Sequence, residues 1–387
     1  MMVPVIIFWI AVFLVMHTYV VYPLILRVFS AGRRGNVMVY ERDEDLPFVS
    51  VIISAFNEET CIAEKISSIY SGSYPSGKFE VLVGSDHSTD RTGEILRSLL
   101  EFYPSLKFYD FKERRGKGNV VNELVQNAAG TILVLTDANV FFDVDTMFYM
   151  VRHFKNPSIG LVDTNMVNRG MKAAGISHQE KAYISREVGI KDRESRLWGA
   201  MMGPFGGCYA IRQEDYARVP SNFLVDDFYI NMMIFEKGKI AINEIRSIVF
   251  ENIPDELIIE FKRKVRIGTG NFQNLRKFWR LIFTARYGFA FLSHKVIRWF
   301  GPFFMLIALA LNIYLATGSI FYLWILSGHI AAYLIPFIDW VLKKFGIYFS
   351  PFRLATHFFS MNAALFIGFF RSLGKVNSGV WERTERG

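Results

Sequence analysis

Residues 3–26, VPVIIFWIAVFLVMHTYVVYPLIL, contain no Asp, Glu, Lys or Arg. About 20 apolar residues are enough to cross the hydrocarbon core of a bilayer, so this run predicts a membrane-spanning helix. Arg27, Arg33 and Arg34 follow the run and no charge precedes it, whereas a cleavable signal peptide carries its positive charge first. We therefore predict an uncleaved transmembrane anchor over residues 1–29 with its C-terminal end in the cytosol. A buried core helix is the alternative.

Two further uncharged runs near the C-terminus predict membrane segments. They cover residues 299–317 and 320–338, and Lys343 and Lys344 after the second indicate a return to the cytosol. A third run, residues 354–370, is shorter and is interrupted by His, Ser and Asn. It either spans the membrane, which would place the basic tail outside, or forms a re-entrant or packed segment.

The apolar and basic residues divide the chain into five predicted segments. These are the anchor (1–29), a cytosolic domain (30–252), interfacial amphipathic helices (253–298), C-terminal membrane segments (299–373) and a tail (374–387). The net charge of +8 is spread around the apolar segments and does not form one stripe. Anionic membrane lipids are therefore the expected neighbours, and nucleic acid is not.

The cytosolic segment alternates strand-like and helix-like patterns, which is typical of an α/β domain with a largely parallel sheet. Three of its predicted strands end in polar pairs. These pairs are Asn57 with Glu58, Ser85 with Asp86, and Asp137 with Asn139. Ligands of open parallel sheets bind beyond the carboxyl ends of the strands. We therefore expect the three pairs to meet at one edge of the sheet.

These side chains suit a nucleotide site. The oxygens of Asp137 and Asn139 are hard ligands for Mg²⁺ or Mn²⁺, which proteins often hold with few carboxylates plus substrate phosphates. Lys117, between two glycines at a predicted helix start, can reach a phosphate. Asp86 can accept a hydrogen bond from a base or ribose, and Phe56 offers a base an apolar face. Each feature alone is more typical of a turn, cap or loop, so only the combination favours the site.

Seven motifs occur in the order found in membrane-bound family-2 glycosyltransferases. They are VSVIISAFNEE, VLVGSDHSTD, GKGN, TDANV, GPFGGCYAIRQE, VDDFYINMMIFEKG and FKRKVRIGTGN, within residues 48–275. The chain therefore resembles the hyaluronan, cellulose and poly-N-acetylglucosamine synthases. The resemblance implies a Rossmann-like GT-A fold that binds a nucleotide sugar, usually UDP-linked, and it fits the flanking membrane segments.

The resemblance also implies roles for single residues around the donor. Phe56 and Glu58 lie in the motif that contacts the nucleoside. Asp86 corresponds to the aspartate that contacts the base, and Lys117 to the lysine near the nucleotide.

The implied cation and base sites are acidic. Asp137 and Asn139 stand in the DxD motif that holds Mg²⁺ or Mn²⁺ on the diphosphate, and the uncharged Asn139 predicts a lower metal affinity. Asp226 and Asp227 match the family's acidic pair. Asp227 is the predicted general base for the acceptor hydroxyl, with Asp226 as its supporting partner, because adjacent carboxylates raise one pKa. Acids in the first turn of a helix are the alternative explanation.

A basic stretch follows these motifs. Arg263 and Arg266 fit the family pattern Gln/Arg-x-x-Arg-Trp, and Arg266 is predicted to stabilise the diphosphate. Ile267 replaces the tryptophan that binds the acceptor sugar in processive members, which weakens the case for a polymerase. The same stretch also fits an interfacial helix with one basic side.

The region between the cation and base motifs shapes the acceptor site in relatives. Gly206 and Gly207 are predicted to let the acceptor approach the backbone closely. Trp198 is either an acceptor platform or a core residue. Asp143 and Asp145 form a second Asp-x-Asp beyond the strand end, and we predict a structural role for it, with Asp145 as a helix N-cap.

The chain is therefore predicted to be an inverting enzyme that transfers a sugar from a UDP-sugar to a growing polysaccharide at the cytosolic face of the plasma membrane. Asn312 and His329, in the predicted spans, suit a product path or are satisfied inside the bundle. The alternatives are transfer of one sugar to a lipid acceptor, an inactive nucleotide-binding subunit, and a transporter, which the small number of spans disfavours. The sequence indicates neither the sugar nor the oligomeric state.

Overall fold

The computed structural model describes residues 2–169, 177–252 and 257–374. One eight-stranded mixed sheet forms the centre of the predicted cytosolic domain. Its strands are β1 (Val49–Ala55), β2 (Phe79–Ser85), β3 (Leu106–Asp110), β4 (Ile132–Asp137), β5 (Val140–Phe142), β6 (Ile159–Arg169), β7 (Cys208–Arg212) and β8 (Ile240–Asn252). The strand order across the sheet is β3-β2-β1-β4-β7-β6-β8-β5.

Twelve described helices surround or extend from this sheet. They are α1 (Met2–Phe29), α2 (Ile62–Tyr70), α3 (Thr92–Leu99), α4 (Lys117–Gln126), α5 (Thr146–Val151), α6 (Ser177–Trp198), α7 (Asp226–Glu236), α8 (Leu257–Phe278), α9 (Gly288–Trp299), α10 (Gly301–Ala316), α11 (Ile320–Lys344) and α12 (Ser350–Leu373). Short 3₁₀ turns cover Ser76–Lys78, Arg152–Lys155, Gln213–Asp215 and Trp279–Phe283. The sequence of elements is that of a mixed α/β domain followed by helices.

The predicted parallel sheet is confirmed in part, since four pairings between the described strands are parallel and three are antiparallel. β1 pairs in parallel with β2 and β4, and β2 pairs in parallel with β3. In the other half, β6 pairs in parallel with β8, whereas β7 runs antiparallel to β4 and β6 and β5 runs antiparallel to β8. The apolar pattern of a strand buried on both faces is the same in either direction, so the sequence does not reveal this reversal.

The central strands are continuous apolar runs because helices cover both faces of the sheet. In β1, Val49, Val51 and Ile53 pack into the core under α2, whereas Ile52 packs into the core under α4 and α7. All four side chains are buried. Each such burial stabilises the fold by roughly 1.5–3 kcal/mol. This two-sided packing fixes the carboxyl ends of β1, β2 and β4 side by side.

Helices α1 and α11 are long and apolar enough to cross a membrane. Helices α9 and α10 form a third candidate span if they are taken as one, with a bend of 59° between them. The predicted span at residues 299–317 is thus the second arm of this bent pair. The side-chain amide of Asn312 lies 3.1 Å from Nδ1 of His329, so these two polar residues satisfy each other.

The third apolar run, in α12, packs against α8. A Cβ placed on Gly368 would lie 2.8 Å from the carbonyl carbon of Gly268, so the two backbones touch where the helices cross. This contact matches the packed-segment alternative for the run. The predicted tail lies outside the described residues from position 375 onward.

Candidate active site

A cavity of about 900 Å³ opens at the carboxyl ends of β1, β2 and β4. Its volume is in the range of small-molecule sites. The predicted site residues that line it are Phe56, Glu58, Asp86, Lys117, Asp137, Asn139, Gly206, Gly207, Asp226, Asp227, Arg263 and Arg266. The structure therefore brings the separate polar pairs and motifs together, as the sequence predicts, while the role of each residue stays a prediction.

Asp86 organises the loop at one end of the cavity. Its carboxylate accepts hydrogen bonds from the backbone amides of Arg115 (2.6 Å) and Gly116 (2.9 Å), and its side chain is nearly buried. The guanidinium of Arg114 lies 3.3 Å from the centroid of the Phe56 ring. Asp86 thus holds the loop that leads into α4. The contribution of Arg114 is not evident from the sequence motifs.

Glu58 lies beside this loop, just before α2. Its backbone amide donates to Thr92 Oγ1 at 2.8 Å, and its Oε2 accepts from the Cys61 thiol at 3.2 Å. These contacts fix the turn after β1 against the start of α3. The predicted nucleoside motif is therefore held in place by the chain itself.

Lys117 links the predicted cation and base motifs. It begins α4 after Gly116, whose φ of 82° favours glycine. Its Nζ lies 2.7 Å from Asp137 Oδ1 and 3.9 Å from Asp226 Oδ2. Burial opposes the charge, but the carboxylates of Asp137 and Asp226 outweigh it and raise the pKa of Lys117. Lys117 therefore stays cationic and neutralises part of this acidic cluster.

Asp226 and Asp227 occupy the first turn of α7. Burial, and after it the neighbouring carboxylate of Asp226, raises the pKa of Asp227 to about 7. A carboxylate in this range can take up a proton near neutral pH, which is what general base catalysis requires. Asp226 and Asp227 therefore fit both explanations: they are acids in the first turn of a helix, and they have the chemistry of a catalytic pair.

The two predicted acceptor glycines make close contacts with the chain itself. A Cβ on Gly206 would lie 2.6 Å from Asp227 Oδ2, and one on Gly207 would lie 2.6 Å from Cζ of Phe205. Asp137 also donates its backbone N–H to the carbonyl of Gly207 at 2.9 Å. The glycines are thus needed to place Asp227 and Asp137. Their approach to an acceptor stays a prediction.

Asp137 and Asn139 follow the end of β4 and offer hard oxygen ligands to the cavity. Nδ2 of Asn139 donates to Glu251 Oε1 at 3.3 Å, so the amide oxygen is left as the ligating atom. One carboxylate, one amide oxygen and donor phosphates form an acceptable set for Mg²⁺ or Mn²⁺. The residues present therefore fit the predicted cation.

A buried lysine, Lys65, supports this turn from inside the fold, although no sequence motif marks it. The Lys65 ammonium donates to Thr136 Oγ1 at 2.9 Å and to the carbonyl of Val140, on either side of Asp137. It also lies 3.9 Å from the centroid of the Phe142 ring. Burial lowers the pKa of Lys65 to about 7. In the sequence, Lys65 looks like an ordinary residue of a surface helix.

The second Asp-x-Asp has the structural position predicted for it. Asp145 precedes α5 at the N-cap. Its carboxylate accepts from the side chains of Arg42 and Ser73, however, and makes no capping hydrogen bond to the helix. Asp145 therefore links the start of α5 to the surface segments that carry Arg42 and Ser73.

The basic stretch forms another wall of the cavity. Arg263 donates to both oxygens of the buried Glu260, at 2.9 and 3.1 Å, and this pairing holds its side chain along α8. Arg266 and Ile267 line the same wall. Arg266 therefore faces the same cavity as the acidic cluster, and its action on the diphosphate stays a prediction.

Trp198 lies apart from the other residues predicted to contact the acceptor. It ends α6, packs near Tyr22 and Leu26 of α1, and makes an edge contact with Phe289 at 5.8 Å. It lies outside the set of cavity-lining residues. These contacts favour the core alternative for Trp198, and its acceptor role stays a prediction.

Comparison with known proteins identifies the family of one region of the chain. Residues 50–219 match the family model described as "Glycosyl transferase family 2". The chain carries a family-2 glycosyltransferase domain. That region contains the donor loop, Lys117, Asp137 and both glycines, and the acidic pair and basic stretch follow it.

The family-2 domain is similar to two kinds of curated synthase. The poly-beta-1,6-N-acetyl-D-glucosamine synthase of Staphylococcus epidermidis is 25% identical over 257 residues, 65% of this chain and 61% of the relative. The beta-monoglucosyldiacylglycerol synthase of Nostoc sp. is 25% identical over 248 residues, 63% of this chain and 53% of the relative. The chain thus matches less than two thirds of the length of each.

A solved structure shares the fold along almost the whole chain. The mannosyltransferase PcManGT from Pyrobaculum calidifontis, solved with GDP-Man and Mn²⁺, covers 95% of this chain and 99% of its own, with a TM-score of 0.72 and 24% identity. The fold of the family-2 domain is therefore GT-A, as the sequence resemblance implies.

The Gly206 contact gives a testable prediction. Replacing Gly206 with alanine is expected to lower sugar transfer by up to about 10²-fold, because the new Cβ would displace the Asp227 carboxylate. Initial rates of donor turnover measure the loss. Gly77→Ala is the matched control, since Gly77 is exposed and a Cβ there meets no atom within 4 Å. Wild-type transfer by the Gly206 variant would contradict the close packing described above.

Proposed function

We propose that this chain is an inverting glycosyltransferase that uses a UDP-sugar to extend a polysaccharide at the cytosolic face of the plasma membrane. The observation that carries the proposal is the convergence of Lys117, Asp137, Asp226 and Asp227 in one cavity. The family-2 domain and the similarity to a polysaccharide synthase support the reaction class.

In the proposed reaction, Asp227 takes the proton from an acceptor hydroxyl while that oxygen attacks the anomeric carbon of the donor. The bond between that carbon and the diphosphate oxygen breaks, and an α-linked donor gives a β-linked product. Asp137 and Asn139 would hold Mg²⁺ or Mn²⁺, which neutralises the leaving diphosphate. Lys117 and Arg266 add positive charge beside the same group.

The membrane-associated helices support delivery of the acceptor from the membrane side. Residues of α8 and α9, including Ile267 and Lys295, line the cavity together with Tyr183 of α6. Helices α9 and α10 also form a candidate span. An acceptor held at the membrane surface can therefore reach the predicted base, with anionic lipids around the basic stretch.

A second candidate function is the transfer of one sugar to a lipid acceptor. Ile267 lines the cavity at the position where processive members have tryptophan, so an aliphatic side chain stands in place of that ring. The similarity to a glycolipid synthase supports this candidate as well.

The test is incubation of the full-length protein, in detergent micelles, with a panel of UDP-sugars and with GDP-mannose, each in the presence of either Mg²⁺ or Mn²⁺. Nucleotide release and product mass are measured, with lipid and oligosaccharide acceptors supplied separately. A polymer ladder supports the polysaccharide synthase, and a single glycolipid supports the second candidate. Turnover of GDP-mannose alone would overturn the UDP assignment. UDP binding without any turnover would indicate an inactive nucleotide-binding subunit.

A further inference from the structure

We propose that Glu251 is a positioning residue for the divalent cation, acting through Asn139. Its carboxylate fixes the orientation of the Asn139 amide and supplies the negative charge that this asparagine lacks. This inference rests on the cation site of the proposed function and adds a residue to it.

The sheet brings Glu251 to this position by register. β5 follows Asn139 directly and pairs antiparallel with β8, and Val140 lies opposite Glu251 in that pairing. Glu251 is only 4% exposed, and both Glu251 and Asn139 line the same cavity. A residue 112 positions away is thus held beside the turn by the backbone ladder.

The chemistry of the contact selects one orientation of the amide. A carboxylate can only accept, so Glu251 Oε1 pairs with Nδ2 of Asn139 and leaves Oδ1 for the cation. Mg²⁺ and Mn²⁺ prefer oxygen ligands, and an amide turned the other way would present N–H groups instead. Outer partners that orient a metal ligand typically change metal affinity by about 10–100-fold when mutated.

The charge of the pair explains why asparagine is tolerated in the DxD motif. An aspartate at position 139 would place a second carboxylate within hydrogen-bonding distance of Glu251, and like charges at that separation cannot both ionise freely. The native pair of Asn139 and Glu251 carries one negative charge, and exchanging the amide and the carboxylate between the two positions keeps that charge. The two arrangements should therefore be interchangeable. By contrast, Glu251→Gln alone replaces an obligate acceptor with an amide that can pair with either end of Asn139. Asn139→Asp alone places two carboxylates beside each other.

The test is a double-mutant cycle of wild type, Glu251→Gln, Asn139→Asp and the double variant. Free Mn²⁺ is measured by electron paramagnetic resonance with UDP present, and thermal unfolding without metal checks the fold. In the wild-type background, Glu251→Gln should weaken Mn²⁺ binding by about 10–100-fold. In the Asn139→Asp background the same change should strengthen Mn²⁺ binding, because it removes one of two adjacent like charges and the introduced glutamine amide can donate to the introduced carboxylate.

Glu80→Gln is the matched control, because Glu80 is also a buried strand glutamate but lies on β2, outside the cavity lining. It should leave Mn²⁺ binding unchanged. An equal loss in both backgrounds, or no loss in the wild-type background, would overturn the inference. Absence of Mn²⁺ binding and of turnover in the wild type would overturn the proposed function itself, so the two failures are distinguishable.

Discussion

Replacing Asp227 with asparagine is expected to reduce sugar transfer by about 10²–10⁴-fold and to leave UDP binding nearly intact. The amide has almost the same shape as the carboxylate but cannot take a proton from the acceptor hydroxyl. The donor loop held by Asp86 and the contact between Lys117 and Asp137 do not depend on this proton. Turnover of the donor found in the panel and calorimetric titration with UDP measure the two quantities.

The pH dependence of the wild type checks the same assignment. Because the ionised form of Asp227 is the active one and its pKa is raised to about 7, the rate should rise as the pH increases through about 7. The residual rate of the Asp227 variant should not show this increase with pH. Asp45→Asn, at an exposed carboxylate, is the control and should behave as the wild type. If the Asp227 variant transfers sugar at the wild-type rate, a group other than Asp227 takes the proton from the acceptor hydroxyl.

The parts of the fold that the sequence predicts are those encoded locally. β1, β2 and β4 are short apolar runs bounded by polar residues, and each strand ends within two residues of the polar pair predicted to follow it. Parallel neighbours end on the same side, so the meeting of Asp86 with Asp137 follows from the pattern alone. The order of the motifs then supplies the family and the identity of the acidic pair.

What the sequence does not predict depends on contacts between distant segments. The reversal of β7 and the register of β5 against β8 arise from packing of the whole sheet, and this register places Glu251 beside Asn139. Lys65 and Trp198 are similar cases, because the partners that bury them come from other elements. A charged residue near the end of a buried strand, as at Glu251, is the one local signal that marks such a contact.

Replacing Asp137 with alanine is expected to reduce transfer by about 10²–10³-fold or more, since cation stabilisation of a leaving diphosphate contributes several kcal/mol. The change removes the carboxylate ligand of the predicted cation and the 2.7 Å partner of Lys117. Unlike the Asp227 variant, it should also weaken UDP binding in Mn²⁺ and abolish the difference between UDP binding with and without Mn²⁺. Titrations with UDP in Mn²⁺ and in a chelator, beside turnover assays, measure these effects.

Asp145→Ala is the matched control for this prediction, because it removes a carboxylate from the neighbouring Asp-x-Asp. Asp145 pairs with Arg42 in a partly exposed ion pair, and such pairs contribute only about 0–1 kcal/mol to stability. The Asp145 variant should therefore keep wild-type transfer and metal dependence. Loss of transfer in the Asp145 variant together with retention in the Asp137 variant would move the cation to the second Asp-x-Asp. The cavity would then hold the base at Asp227 without the metal beside it, and direct displacement at this site would no longer be supported.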